Sequence, residues 1–359
     1  MRPSSSIMAI DNMTMNKHIV FALIAAALFG ASTPFAKWLA GDVTPVLLAG
    51  LLYLGSGLGL SLVRVLRDRK IQGTNLPPSQ WSWLLGAVLF GGVLGPVALM
   101  LGLGSTSASS ASLLLNLEAV LTALIAWLVF KEHAEHRIVL GMVAIVAGGV
   151  VLTWSPTAAV SDWRGPLWVA VACLCWAIDN NLTRKVSASD ALFIAATKGL
   201  IAGVVNTALA LSLGAQMPPW FTTWATMLVG LLGYGISLVL FVLALRGLGA
   251  ARTGAYFSTA PFLGAAMALL AFGETPSNTF GLAAALMGVG VWLHVTERHA
   301  HPHSHEAASH DHRHVHDAHH QHTHDFEWSG KGAHQHPHRH EAIHHSHAHY
   351  PDVDHRHAH

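Results

Sequence analysis

Long apolar runs follow one another from residue 18 to residue 296, and short segments rich in Pro, Gly or charge separate them, for example Pro77-Pro78 and Pro218-Pro219. A helix needs about 20 mainly apolar residues to cross about 30 Å of hydrocarbon at 1.5 Å per residue. The pattern therefore predicts an all-α integral membrane protein of about ten spans. The predicted spans lie near 18–40, 43–66, 81–103, 106–130, 137–154, 163–186, 190–213, 222–245, 253–272 and 278–296.

Composition agrees with lipid as the solvent. The chain of 359 residues is 52% hydrophobic and 11% charged, whereas soluble domains carry roughly 25% charged residues. The two cysteines, Cys173 and Cys175, both fall inside one apolar run and build no disulfide framework. We expect the lipid bilayer as a partner and no nucleic acid.

Basic residues give the orientation, because Lys and Arg concentrate in cytoplasmic connections. With a cytoplasmic N-terminus, nearly all Lys and Arg between the spans lie on the cytoplasmic side. Only Arg164, with Lys37 near the end of the first span, lies outside. This predicts a bacterial-type inner (plasma) membrane protein whose N- and C-termini are both cytoplasmic.

An internal repeat divides the apolar part of the chain. Residues 105–154 align with residues 247–296 almost without gaps, and Leu117–Glu132 matches Thr259–Glu274 within them. A segment of the first span also matches one of the sixth. That match joins Phe29–Lys37 to Trp176–Arg184.

Two copies of a five-helix unit explain the repeat, and an odd number of spans per copy turns the second copy upside down. Charge agrees: Lys131 and Arg137 follow the fourth span, whereas Glu274, with no Lys or Arg nearby, follows the ninth. Inverted repeats are the architecture of many secondary transporters, in which two halves rock around a site near the midplane.

The repeat unit resembles the EamA-type transporters of the drug/metabolite transporter superfamily over roughly residues 18–296. Ala260-Pro261 and Gly273-Glu274 stand where that family tends to have them, whereas Glu118-Ala119 replaces the first of these pairs in the first copy. The resemblance implies secondary transport, often efflux, of a small solute. It leaves the cargo open.

Glu118 lies about halfway along the fourth span, near Asn116. Intramembrane carboxyls are costly and usually face a cavity or a partner. Glu118 is either a residue of the transport pathway that binds a proton or cation, or a neutral carboxyl hydrogen-bonded to a neighbouring helix.

A second polar group comprises Asp179, Asn180 and Asn181 in the sixth span and Lys198 in the next one. The two spans follow each other through a short turn, so Asp179 and Lys198 are expected to lie at similar depth. They form either a structural ion pair or part of a cargo or gating site. Asn116, Glu118, Asp179, Asn180, Asn181 and Lys198 are therefore the candidate residues of the transport pathway.

The C-terminal segment 298–359 holds 23 of the 27 histidines, mostly at alternate positions. Imidazole suits Zn, Ni, Co and Cu, and a segment that lacks a hydrophobic core is expected to be disordered without metal. A polycation that titrates near pH ~6 is the alternative interpretation. The candidate metal ligands are His299, His301, His303, His305, His310, His312, His314, His316, His334, His336, His338 and His340.

The predicted organisation has five parts. They are a cytoplasmic N-terminal segment (1–17), a first EamA-like repeat (18–154), an external linker (155–162), a second repeat (163–297) and a cytoplasmic His-rich tail (298–359).

The sequence favours a secondary transporter, an exporter rather than an enzyme, with a divalent transition metal (Ni, Co or Zn) as cargo or regulator. An exporter of an organic metabolite, amino acid or drug-like, with a regulatory tail is the main alternative. A membrane-anchored metal buffer or sensor is the minor one. No cofactor is required, and a homodimer is compatible with the sequence.

Overall fold

The structure is a computed structural model. It describes residues 5–41, 43–68, 76–129, 136–154, 163–186 and 189–296, together with four tail segments, 300–305, 309–314, 334–339 and 343–348.

Every regular element between residues 5 and 296 that the structure describes is a helix. The first copy contributes α1 (Ser5–Leu39), α2 (Pro45–Asp68), α3 (Trp81–Ala87, Val88–Leu94 and Gly95–Ser105, after the 3₁₀ turn Pro78–Gln80), α4a (Ala108–Leu114), α4b (Leu117–Leu128) and α5 (His136–Thr153). The second contributes α6 (Arg164–Arg184), α7 (Ala191–Ser212), α8 (Trp220–Gly230, Leu231–Ile236 and Ser237–Phe257), α9 (Ala260–Ala271) and α10 (Phe280–Val295).

These helices confirm a multi-pass membrane protein. Among the described residues, seven segments are long and apolar enough to cross a bilayer: Lys17–Leu39, Pro45–Asp68, Pro78–Ser105, Ala108–Ile125, His136–Thr153, Ala191–Ser212 and Trp220–Ala244. Helices α9 and α10 are apolar but shorter. Helix α6 has 21 residues, and its three consecutive polar residues, Asp179 to Asn181, reduce its apolar character.

Both copies contain a π-helical segment at matching positions, Val88–Leu94 in α3 and Leu231–Ile236 in α8. A π segment shifts the backbone hydrogen bonds by one residue and is often found at functional sites. The two copies therefore resemble each other in backbone geometry as well as in sequence.

Two predicted helix boundaries are wrong. The predicted span 106–130 is interrupted at Leu115 and Asn116, and α8 continues through 246–252, where a connection was expected, until Ser258 and Thr259 interrupt the chain. Ala and Leu in 246–252 favour helix, whereas Pro261 favours a new helix start because proline suits its first turn. The two interruptions occupy equivalent repeat positions.

Symmetry-related helices pack on each other. Helix α2 packs on α7 and α5 on α10, while α1 contacts α9 as α6 contacts α4b. Glycines bring α2 and α7 close: a Cβ on Gly199 would lie 2.5 Å from the Gly57 nitrogen, and one on Gly203 would lie 2.5 Å from the Leu54 nitrogen. Small residues permit such close approach in membranes.

Arg67 and Asp190 join α2 to α7 at one end. Arg67 Nη2 lies 2.6 Å from Asp190 Oδ2, and Asp190 Oδ1 accepts the Leu192 N–H at 2.9 Å as the N-cap of α7. Burial opposes the charge of Asp190, but the hydrogen bonds from Arg67 and Leu192 outweigh it and hold its pKa below its usual value.

The tail forms a separate unit over 298–350. Its described segments are strands β1 (Ala300–His305), β2 (Ser309–His314), β3 (His334–Arg339) and β4 (Ile343–Ala348). Strand β1 pairs antiparallel with β4, and β2 pairs antiparallel with β3.

We expect Gly199→Ala to lower thermal stability, because its Cβ meets the backbone of Gly57 and overpacking costs about 1–3 kcal/mol. Gly288→Ala is the matched control, since a Cβ there meets nothing within 4 Å and gains helix propensity. Thermal unfolding of the detergent-purified variants measures the difference. Equal unfolding temperatures would show that α2 and α7 are not tightly packed.

Candidate functional site

Asp179 and Lys198 form a buried ion pair. Lys198 Nζ lies 2.7 Å from Asp179 Oδ1 and 2.5 Å from Oδ2, and the side chains are 6% and 9% exposed for Lys198 and Asp179. Thr183 Oγ1, one turn further along α6, donates to Asp179 Oδ1 at 2.8 Å. The structure thus brings together the two charges that the sequence placed at similar depth.

The π segment of α3 makes room for this pair. Gly91 contacts the Asp179 carboxylate, and any side chain at that position would occupy the same space. The Gly91 carbonyl accepts hydrogen bonds from Tyr53 Oη at 2.7 Å and Trp176 Nε1 at 3.1 Å, and the Gly92 carbonyl accepts one from Asn206 Nδ2 at 3.2 Å. Side chains of α2, α6 and α7 therefore bind the carbonyls of an irregular turn inside the membrane.

Glu118, Thr122 and Asn180 form a second group, which we call the acidic cluster. Asn180 Nδ2 donates to Glu118 Oε1 at 2.8 Å and lies 3.5 Å from Thr122 Oγ1. Glu118 is half-buried, whereas Asn180 is exposed. Within the described ranges, Glu118 makes no ion pair of the kind that neutralises Asp179, and its hydrogen-bond partner there is the neutral amide of Asn180.

Asn181 and Asn116 lie apart from the acidic cluster's carboxylate. Asn181 is buried and donates to the Ala177 carbonyl at 2.9 Å, with the Thr122 carbonyl at 3.5 Å. Asn116 is also buried and donates to the Leu113 carbonyl at 2.9 Å. Both amides donate to backbone carbonyls, and the amide of Asn116 does so at the interruption between α4a and α4b.

A group of aromatic side chains that the sequence did not single out packs beside the π segment of α3. The ring centroid of Phe29 lies 6.0 Å from that of Trp176, 5.9 Å from that of Tyr234 and 5.4 Å from that of Phe257. The ring centroids of Tyr53 and Tyr234 are 5.4 Å apart. The available signal was weak: three of the four tyrosines fall within predicted spans, and of these Tyr53 and Tyr234 belong to this group of rings.

The predicted metal ligands of the tail fall into two sets. His301, His303, His305, His310, His312, His314, His334, His336 and His338 belong to the strands. His299, His316 and His340 lie outside the described residues. In the membrane part that the structure describes, no three His, Cys, Asp or Glu side chains gather as a metal site.

The paired helices, the matching interruptions and the polar groups within the spans define a helical membrane transporter built from two related halves. The family model of the EamA-like transporter family matches residues 16–154 and 163–296. The chain belongs to this family, as its repeats led us to expect, and the family is one of transporters.

The chain is similar to one transporter in sequence and to one solved structure in fold. An uncharacterized transporter of Methanothermobacter thermautotrophicus is 28% identical over 288 residues, which cover 76% of this chain and 84% of the relative. A solved crystal structure with 20% sequence identity superposes with a TM-score of 0.60 over 78% of this chain and 98% of its own. The latter likeness concerns the fold alone.

Removing one partner of the buried pair is expected to be costly. Lys198→Met should destabilise the protein by about 3–5 kcal/mol because it leaves Asp179 charged and unpaired, and adding Asp179→Asn should recover much of that loss. Thermal unfolding in detergent measures both.

Arg67→Met is the matched control for that prediction. Its ion pair with Asp190 is partly exposed, so its loss should cost about 1 kcal/mol or less. If Lys198→Met is as stable as Arg67→Met, the buried pair is not structural and belongs among the cargo-binding groups.

Proposed function

We propose that this protein exports a small solute by alternating access, and that Glu118 is the titratable carboxyl of its pathway. The acidic cluster carries the proposal, because it combines a carboxylate with an exposed amide partway along the spans. Intramembrane carboxyls of this kind mark substrate, ion or proton pathways.

The contrast between the two carboxyls supports this choice. Asp179 is compensated by Lys198 and buried, so changing its charge state would disturb the packing of three helices. Glu118 faces neutral partners, so it can exchange a proton or bind a cationic group without breaking an ion pair. We therefore assign the coupling role to Glu118 and a structural role to the Asp179–Lys198 pair.

A small organic solute is the cargo that this geometry favours. The amide of Asn180 donates toward Glu118, whereas a metal ion needs several converging lone pairs from carboxylates, thiolates or imidazoles. The rings of Phe29, Tyr53, Trp176 and Tyr234 pack into an apolar, π-rich group. Organic solutes with a polar group and an apolar body suit a site that combines such rings with a few polar side chains.

A divalent transition metal remains the second candidate, as cargo or as regulator, because of the tail. In the strand pairing, His310 stands opposite His338, His312 opposite His336 and His314 opposite His334. Residues opposite each other in antiparallel strands have Cβ atoms about 4.5–5.5 Å apart, a spacing from which two imidazoles reach one ion. We propose that the tail binds Zn, Ni, Co or Cu in this way.

The proposed direction rests on the distribution of Lys and Arg. It supports an inner-membrane location with both termini cytoplasmic, and it puts the tail on the side from which an exporter collects cargo. A homodimer stays a prediction.

Transport into inverted membrane vesicles tests the role of Glu118. With the cytoplasmic face outward, vesicles should accumulate a radiolabelled amino-acid mixture or radioactive nickel in response to a proton gradient. We expect Glu118→Gln to reduce accumulation about tenfold or more, an effect of ~1.4 kcal/mol. Glu118→Asp, which keeps the carboxyl, should retain the response to the gradient. Unchanged, gradient-sensitive transport by Glu118→Gln would contradict the proposal.

Nickel binding by the purified full-length protein tests the role of the tail. Equilibrium dialysis should show that a chain ending at Arg298 loses most of the bound nickel. Alanine at the paired histidines (His310, His312, His314, His334, His336, His338) should reduce binding more than alanine at the same number of others (His316, His319, His320, His322, His324, His340). Equal losses would show that nickel binding depends on the number of histidines and not on their pairing across the strands.

A further inference from the structure

The carboxylate of Glu274 joins the two copies at one end of the helices. Its Oε1 accepts the Ala108 N–H at 2.8 Å and its Oε2 accepts the Ser109 N–H at 2.9 Å. Both donors are at the start of α4a in the first copy, whereas Glu274 follows α9 in the second. We call these three residues the latch.

Local hydrogen bonds fix the backbone on both sides of the latch. Gly273 has φ +64°, in the left-handed region that favours glycine, and the Glu274 N–H then bonds the Ala268 carbonyl at 3.3 Å. On the other side Ser107 Oγ accepts the Ser110 N–H at 3.2 Å. Glu274 and Ser107 thus bind the first three N–H groups of α4a, which have no partner within the helix.

Helix α4a packs on α9 at the latch. The repeat position equivalent to Glu274 is Glu132, which lies outside the described residues. The described contact of this kind is therefore the one between α9 and α4a.

Side chains beside the start of α9 are closely packed. Thr33 and Ser112, which line the same small space as Ala260 and Pro261, are each 1% exposed. At the latch end the Lys37 ammonium also donates to the Leu103 carbonyl and ties α1 to α3. In the orientation proposed above, the latch end is external.

We propose that Glu274 is a positioning residue that holds the external end closed, and that the latch must break in every transport cycle. The latch works because one carboxylate binds the N-terminus of a helix from the other copy, where the helix dipole favours negative charge. This inference rests on the proposed function in two respects: the assignment of the latch end to the external side and the existence of a transport cycle.

Thr33→Cys reports opening of the latch end, in a background where Cys173 and Cys175 are alanine. A membrane-impermeant maleimide reaches position 33 only when that end opens. We expect Glu274→Gln to raise the labelling rate about fivefold, which corresponds to about 1 kcal/mol for loss of a helix cap. An amide has one acceptor oxygen where the carboxylate has two, so one N–H of α4a loses its partner.

Ala108→Pro removes a donor instead of the acceptor. Ser107 has φ −63° and ψ 150°, the extended conformation that a residue before proline prefers, and proline suits the first position of a helix. This variant should fold and should raise labelling as Glu274→Gln does. The double variant should add little, because both changes break the same contact.

Glu132→Gln is the control, since Glu132 occupies the repeat position equivalent to Glu274 and lies outside the described residues. It should not raise labelling at position 33. Unchanged labelling in both Glu274→Gln and Ala108→Pro, or equal increases in Glu132→Gln, would overturn the latch. The maleimide readout needs no cargo, so the latch can fail while Glu118-dependent transport stands, and the reverse.

Discussion

Every backbone N–H and C=O inside a bilayer needs a partner, because lipid offers none. This constraint governs the places where the helices of this transporter depart from regularity. Tyr53 and Trp176 bind the Gly91 carbonyl in the π segment, and Asn116 binds a carbonyl at the break of the fourth span. Glu274 does the same for N–H groups at the start of α4a. The irregular turns are tolerated because side chains from neighbouring helices complete them.

The same turns arrange the charges. The π segment lets Gly91 approach α6 so closely that the Asp179 carboxylate occupies the space of a side chain, and from there it pairs with Lys198 on α7. The neutralised pair ties α3, α6 and α7 together near Glu118. Among the described residues, the hydrogen-bond partner of Glu118 is the neutral amide of Asn180. One junction of helices therefore holds a carboxylate compensated by an ion pair beside a carboxyl that is not.

Sequence reasoning succeeded where a signal is periodic or chemically costly. Runs of about 20 apolar residues predicted the spans, the match of Leu117–Glu132 with Thr259–Glu274 predicted the repeat, and the family model confirmed both. The proximity of Asp179 and Lys198 followed from their depth in consecutive spans. Sequence reasoning failed at 246–252, where glycines and arginines indicated a connection but the backbone is helical. Over so few residues, the composition of a loop and that of a helix are too similar to be distinguished.

The sequence by itself determined the membrane class, the inverted duplication and the identity of the polar residues within the spans, because hydrophobic length and repeated spacing are properties of the chain alone. Apart from the Asp179–Lys198 pair, only the tertiary structure decided which of those residues meet. It gave Glu118 the amide of Asn180, assigned Asn116 to a helix break and joined Glu274 to the start of α4a. The contacts of Glu118 and Glu274 join helices far apart in sequence, and their geometry depends on glycine packing and helix interruptions that no local pattern encodes.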